Sequence, residues 1–554
     1  MIKRFCYLIL LLLSPLMLPA QNTTDTYAMR RAVEAWQQSD YQTAYNALSQ
    51  ELNNNPKNGM AYAVLSFICN EVGAPSKMLR FANQAVEYLP KNDQRVLPEV
   101  LMMLANFYWT AEDTVEAEQY LARALKVAPK FYKVYNRYEQ FYTKTERYQD
   151  MVNLGIKAIQ MLPGEVDGFT LLFEGYMGTQ QYEKALQTAD EIVRISAKHE
   201  NAAKMLPYAY EFRVRALFQL KQYDEALHEA LTTLAVIQTG DLLNAVIDIA
   251  DSTDMDRVID SLRVYEKRYE GMPWWGLMRG QIYVDNKRPA EGYVEFYRAM
   301  QIQDMDHVWR KMAAIAANEL NDLSRAKICH DRAIKADSTN AVNYIVAADY
   351  YYNDLRDIAT GDAMVEQAIR LNPLHGSPYL LRAYRWMVAG EYEKAIDDYY
   401  CALVADPELV EFYFRIARAY RALGDSEKLQ QVKDKACALY RSLGRELRAD
   451  EYYGLGEFDK ACEKAAEDVT ERSTQNTCYN TACIYALSGR NDEAVEYLRQ
   501  AVEKGFLAIP HMNHDIDLDG LRAMPAFQQL MQECEAKTAE MRRIVDEQLT
   551  EDKQ

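Results

Sequence analysis

His511 and His514 stand three residues apart and run directly into Asp515, Asp517 and Asp519. Imidazole and carboxylate groups at that spacing are donors a divalent metal accepts. The Asp-rich part lacks the regular spacing and closing Glu of a calcium loop. A second concentration of chemistry lies between residues 382 and 421, where Arg382, Arg385, Arg415, Arg418 and Arg421 gather on an acidic chain. A guanidinium pairs bidentately with a carboxylate. These arginines therefore serve either their own neighbours, among them Asp397, Asp398 and Glu411, or an acidic segment or chain terminus of a partner.

Covalent and hydrolytic chemistry has less to work with. The chain contains no GxSxG elbow, Walker-type phosphate loop, HExxH or CxxC pair. It reads as non-enzymatic, with no cofactor implied. Eight cysteines follow residue 20: Cys69, Cys329, Cys401, Cys437, Cys462, Cys478, Cys483 and Cys534. Cys478 and Cys483 are five apart on one expected helix, separated by about 7.5 Å of rise and about 140° of rotation, which excludes a bond without unwinding. Most cysteines take the role of small buried hydrophobes, and a Cys462–Cys478 bond between adjacent helices is the alternative.

The elements that must position these groups follow a beat. Ala85, Ala124, Ala158, Ala299, Ala333, Ala368, Ala402, Ala436 and Ala501 recur on a shared register, and 124→158, 299→333, 368→402 and 402→436 are each 34 residues. A fixed period of that length means a repeat architecture. The repeated phrase appears in Gly390–Pro407 (GEYEKAIDDYYCALVADP), Thr114–Pro129, Gln181–Asp190, Gln222–Leu231, Gly456–Ala465 and Gly489–Val502. It resembles the tetratricopeptide repeat over roughly residues 25–508. Pro56/Pro90, Pro129/Pro163 and Pro373/Pro407 are pairs 34 apart that fit the repeat's closing proline, and Tyr108, Tyr142, Tyr176, Tyr283, Tyr420 and Tyr485 fit its aromatic slot. Small residues let helix backbones approach. Proline ends a helix, and Gly73, Gly390, Gly424, Gly456 and Gly489 suit a turn needing positive φ.

The resemblance implies an all-α, right-handed superhelical solenoid of stacked antiparallel helix pairs, about fourteen units long. It divides the chain into 21–240, a degenerate pair at 241–272 with Leu242, Val246 and Ile249 apolar, and 273–508. A capping segment follows at 509–534, where Leu518, Leu521, Phe527 and Leu530 cover the last pair, and this role displaces the metal reading. Residues 535–554 are expected to be a polar helix fraying into an acidic, disordered end. Insertions are implied between Pro90 and Pro129 and between Ala185 and Ala226, so irregular stacking is expected at 91–97, 200–206 and 241–272.

In the family, the first helix of each repeat lines a concave groove. Register places Trp109, Phe218, Trp274, Tyr384, Met387 and Phe414 toward it, with Arg418 and Arg421 alongside and Arg385 close by. The partner-binding candidates are therefore Arg385, Arg418, Arg421, Tyr384, Phe414, Trp274 and Trp109, with one of Trp274 and Trp275 in the core. Reversing Arg418 and Arg421 to Glu is expected to cost no more than about 1 kcal/mol of stability, the scale of a surface change. The family's Lys–Asn chaperone-tail clamp is absent, since register gives Lys311 with Ile315 and Met102 with Asn106.

Residues 1–20 differ in kind. Lys3 and Arg4 precede an apolar run from Phe5 to Leu13, and Leu18-Pro19-Ala20 precedes Gln21, the order of a secretory signal peptide. The run is short for a membrane span, and no later segment is long enough. Export is expected, to a bacterial periplasm or beyond the cell. Without Lys3 and Arg4 the chain carries 61 Lys and Arg against 81 Asp and Glu, a net charge of −20, which disfavours nucleic acid. The function read from the sequence is a protein-binding scaffold or adaptor. The alternative is a glycan-binding envelope protein, which the absence of a lipid-attachment Cys and of long Asn- and Trp-rich loops disfavours.

Overall fold

Every alanine of the 34-residue beat is buried. A methyl at the crossing of two helices lets them approach more closely than a longer side chain would, and this fixes the repeat. The computed structural model describes residues 26–162, 167–198, 206–405, 409–442 and 444–552. The segment 1–20, Pro163, Pro407 and nearly all of the irregularity expected at 200–206 lie outside the described residues. Across the described residues the chain is a succession of α-helices with one 3-10 turn, Ile516–Leu518, and no strand. Consecutive helices pack as pairs: Gly59–Glu71 on Pro75–Tyr88, Leu97–Thr110 on Thr114–Val127, Trp274–Asp285 on Pro289–Ile302, and so on along the chain.

The turn inside each pair has a consistent chemistry. Gly73, Gly390, Gly424, Gly456 and Gly489 all have positive φ, as their slot requires. In other repeats the same left-handed position is filled by Ser39, Glu112, Glu146, Gln180, Lys221, Lys287, Asn321 and Arg356. Asp often follows and caps the second helix: Asp40 accepts the amide of Thr43, Asp113 that of Glu116, Asp322 that of Arg325 and Asp357 that of Thr360. An N-cap of this kind stabilises a helix by about 1 kcal/mol.

The chain divides into two compact units at Ile249 and Ala250. The division falls within helix Gly240–Ser252, which with Met255–Arg268 makes up the region where the alanine marks fail. Leu242, Val246 and Ile249 are buried there. The first unit is built from helices each packed on those one or two places away in the sequence. Its core is centred on Trp36, Leu65, Leu101, Leu121 and Met151.

The second unit is closed by its own C-terminus. Helix Pro525–Glu551 runs 27 residues. At its start Phe527 and Leu530 join Leu518, Leu521 and Leu498 in the core of the last pair. At its far end Val545 is buried against the core formed by Val294, Val308 and Ala313. Arg542 donates to the carbonyls of Leu320 and Asn321 at 2.7 and 3.1 Å. Arg298 grips both oxygens of Asp552 at 2.8 and 2.7 Å, and Arg325 pairs with Asp546. The polar helix expected from about residue 535 is present and continues to Glu551, with acidic side chains of its last turns meeting arginines of earlier repeats; the last two residues of the expected disordered end lie outside the described residues.

Candidate binding cavity in the second unit

Helices Gly376–Val388, Phe412–Leu423, Ala449–Leu455 and Gln475–Leu487 are the first members of four successive pairs. The facing wall is short helix Ile509–His514 and the 3-10 turn after it. This segment also touches helices Asp306–Asn318 and Ala341–Asn353, and His514 Nδ1 lies 3.0 Å from the carbonyl oxygen of Asn353. It therefore sits against the first helices of several repeats, including the surface expected to be the groove. A cavity of about 730 Å³ remains between it and the four helices.

Local packing sets the walls. A Cβ on Gly454 would lie 2.8 Å from Cβ and the carbonyl oxygen of Phe414, so its absence lets helix Ala449–Leu455 press onto Phe412–Leu423. Phe414 is buried and meets Tyr440 edge-on at 5.0 Å. Glu451 is fully buried and accepts from Tyr440 Oη at 3.0 Å and Arg448 at 2.9 Å. On the opposite side Tyr479 stacks on Phe506 at 4.1 Å and donates to Asp515 Oδ2 at 2.7 Å. The other oxygen of Asp515 accepts the amide of Asp517 and so caps the turn.

The arginines fall into two groups. Arg382 pairs bidentately with Asp398 at 2.8 Å. Arg385 reaches Asp362 at 3.0 Å and lies over Trp386 at 3.8 Å. Arg418 reaches Asp517 at 3.0 Å and lies over Tyr453. Burial pushes the Asp517 carboxyl above its usual range; Arg418 pulls it back, and Asp515 adds to the rise. Arg415 and Arg421 form no ion pair among the described residues. Arg415 lies over Phe412, and Arg421 over Tyr453 and Phe458. Arg421 Nη1 donates to the carbonyls of Tyr453 and Gly454 at 3.0 and 3.3 Å, and burial lowers its pKa. Both line the cavity.

Of the residues the sequence singled out, Tyr384, Phe414, Arg418 and Arg421 meet at this cavity, with Met387. Arg385 does not line it and is held by Asp362. Trp274 is half-buried, and its indole N–H is buried without an acceptor among the described residues, whereas Trp275 is fully buried and donates to the carbonyl of Tyr269 at 3.2 Å. Trp109 belongs to the first unit. There it packs on Phe141 at 5.0 Å beside a hollow of about 50 Å³. Sequence reasoning missed Arg448, Tyr453, Tyr479, Cys483 and Asp517 as cavity residues. The one signal available was the acid run 515–519, which complements the arginines in charge. All eight described cysteines are free thiols, including Cys462 and Cys478.

Comparison with known proteins gives two partial family matches. Residues 22–224 match the model described as ChAPs (Chs5p-Arf1p-binding proteins), and residues 446–542 match one described as A/B hydrolase-like, N-terminal domain. No curated protein matches. Among solved structures, Naa15/Naa10 bound to HypK-THB aligns at 14% identity over 94% of each chain with a TM-score of 0.31. Yeast Tom70 aligns at 15% identity over 92% of this chain and 100% of its own, with a TM-score of 0.32. A tetratricopeptide repeat protein from Parabacteroides merdae aligns at 13% identity over 51% of this chain and 95% of its own, also at 0.32. The fold assignment rests on the paired helices, the buried alanine register and the recurrent positive-φ turn. The fold is a tetratricopeptide-like succession of paired antiparallel helices. In this repeat chain the C-terminal segment lies across the inner helices of the second unit.

Proposed function

We propose that the protein is an exported, non-enzymatic scaffold that binds an acidic segment of a partner protein in the cavity of its second unit. The observation that carries this reading is the pair Arg415 and Arg421. Both face the cavity, rest on aromatic rings and have no carboxylate partner among the described residues, while Arg382, Arg385 and Arg418 are each taken by an internal acid. Arg415 is exposed and Arg421 half-buried, so a partner carboxylate gains charge-assisted hydrogen bonds to guanidiniums that no internal acid has taken, and at Arg421 it also offsets part of the cost of burial. The aromatic walls, Tyr384, Tyr399 and Tyr453, supply apolar contact area around the charge. A family described as binding proteins matches residues 22–224, which supports a protein as the class of partner.

The test is affinity capture of the full chain from a native envelope fraction, followed by binding measurements on the captured protein. Replacing Arg415 and Arg421 together by Glu is expected to weaken its binding at least about tenfold, the equivalent of one lost charge-assisted contact. Unchanged affinity overturns the site. Capture of no protein, with a melting shift produced by oligosaccharides alone, overturns the scaffold reading in favour of a glycan ligand.

A further inference from the structure

We propose that Cys483, Asp515 and Asp517, joined by His511, form a site for a divalent transition metal of the zinc class on the wall of this cavity. One donor atom from each of Cys483, Asp515 and Asp517 lies within 4.8 Å of the other two. Two donor–donor distances are shorter: Cys483 Sγ is 3.7 Å from Asp515 Oδ2, and His511 Nε2 is 3.8 Å from the same oxygen. Donors bound to a tetrahedral zinc at 2.0–2.3 Å stand about 3.3–3.8 Å apart. The three donors Cys483, Asp515 and Asp517 thus need only a modest contraction around an ion, and His511 would swing in from the Asp515 side to complete the set.

Three elements bring the donors together. Cys483 comes from helix Gln475–Leu487, His511 from Ile509–His514, and the two acids from the turn beyond. The turn itself orients Asp515, because its Oδ1 accepts the amide of Asp517 at 3.0 Å and its Oδ2 then faces the thiol. Outer partners are in place as well. Tyr479 donates to Asp515, and Arg418 to Asp517 Oδ1, which leaves Asp517 Oδ2 for an ion. Such second contacts fix ligand orientation in metal sites.

Charge and softness point to the same class of ion. A thiolate and two carboxylates carry three negative charges, and Arg418 with a divalent ion balances them. On binding, the Cys483 S–H bond breaks, the sulfur–metal bond forms and the proton leaves to solvent through the cavity; no electron is transferred. Thiolate and imidazole ligands favour zinc-like ions over calcium and magnesium, which prefer oxygen alone.

The experiment uses the full chain, stripped with chelator and titrated with Zn²⁺ by calorimetry and with Co²⁺ by absorption spectroscopy. The expected result is one ion per chain and a thiolate-to-cobalt charge-transfer band in the near ultraviolet. Cys483→Ser should remove the band, and His511→Ala, at a position partly open to solvent, should weaken Zn²⁺ at least about tenfold while leaving the melting temperature in place. Cys401→Ser, at the exposed thiol, should change nothing. Absence of the band in the unaltered protein, its survival in Cys483→Ser, or equal Zn²⁺ affinity in His511→Ala would overturn the site and leave a hydrogen-bonded cluster in its place.

Discussion

Arg418 shows why a residue's type is easier to read than its role. Its place on the first helix of a pair was legible from the repeat register, but the acid it holds lies 99 residues away in sequence, beyond the reach of any periodic argument. The consequence is energetic. As a free surface residue, Arg418→Glu would cost about 1 kcal/mol or less. With Asp517 at 3.0 Å and Asp515 beside it, the substitution puts three carboxylates together in a half-buried place. We expect a loss of about 2–3 kcal/mol, somewhat below the range for breaking a fully buried pair because the guanidinium is partly solvated. Urea denaturation checks this, and a loss under 1 kcal/mol would return Arg418 to the surface class. Gly454 makes the complementary case. Its helix has no feature that demands glycine, and the demand comes from the contact with Phe414. Gly454→Ala should cost about 1–3 kcal/mol by overpacking, whereas an alanine elsewhere in a helix normally stabilises.

At the scale of elements, the repeats themselves were fully readable. The alanine beat supplied the buried contacts, and the glycines marked left-handed turns. The eight turns built on other residues carried no comparable signal, because Ser, Lys or Glu at positive φ is set by the helices on either side. The C-terminal helix was readable as a helix and not as a tie. Its polar face looks solvated until Arg298, Arg325 and the carbonyls of Leu320 and Asn321 are found opposite it. Val545→Asp, which places a carboxylate in that buried contact, should destabilise the second unit by about 3 kcal/mol. It should also raise amide exchange in Pro289–Ile302 and around residues 320–325. Acids nearby give this unit a pH dependence. Burial raises Glu319 to about 7, and burial with the neighbouring Asp349 raises Asp354 to about 7, each from an ordinary value near 4. Between those values the folded state binds more protons than the unfolded chain, so stability falls as pH rises from about 4 to about 7 and stays low above. The second unit should melt higher at pH 5.5 than at pH 8. Glu319→Gln with Asp354→Asn should flatten that difference; an equal slope in the double variant would assign it to other groups.

For the whole molecule, the two units are stabilised by different patterns of contact, and this predicts different modes of unfolding. In the first unit each helix packs on neighbours one or two places away. Such an array behaves as a chain of nearest-neighbour terms that opens from its ends. The second unit has the same repeats plus ties between residues 254 and 221 positions apart, Arg298 to Asp552 and Arg325 to Asp546. Opening its first pair therefore requires releasing its last helix, which couples the ends. Hydrogen exchange at increasing denaturant separates the two cases. In the second unit, helices Pro289–Ile302 and Pro525–Glu551 should open with free energies within about 1 kcal/mol of each other, as one cooperative block. In the first, Tyr27–Gln37 should open several kcal/mol below Leu97–Thr110, a graded response on the order expected for terminal repeats. Val545→Asp should turn the block into a gradient and leave the first unit's profile as it was. A graded second unit in the unaltered protein would mean that the C-terminal contacts are too weak to couple its ends. The segment lying against its inner helices would then be free to leave at little cost, and a partner would meet an open groove in place of a bounded cavity.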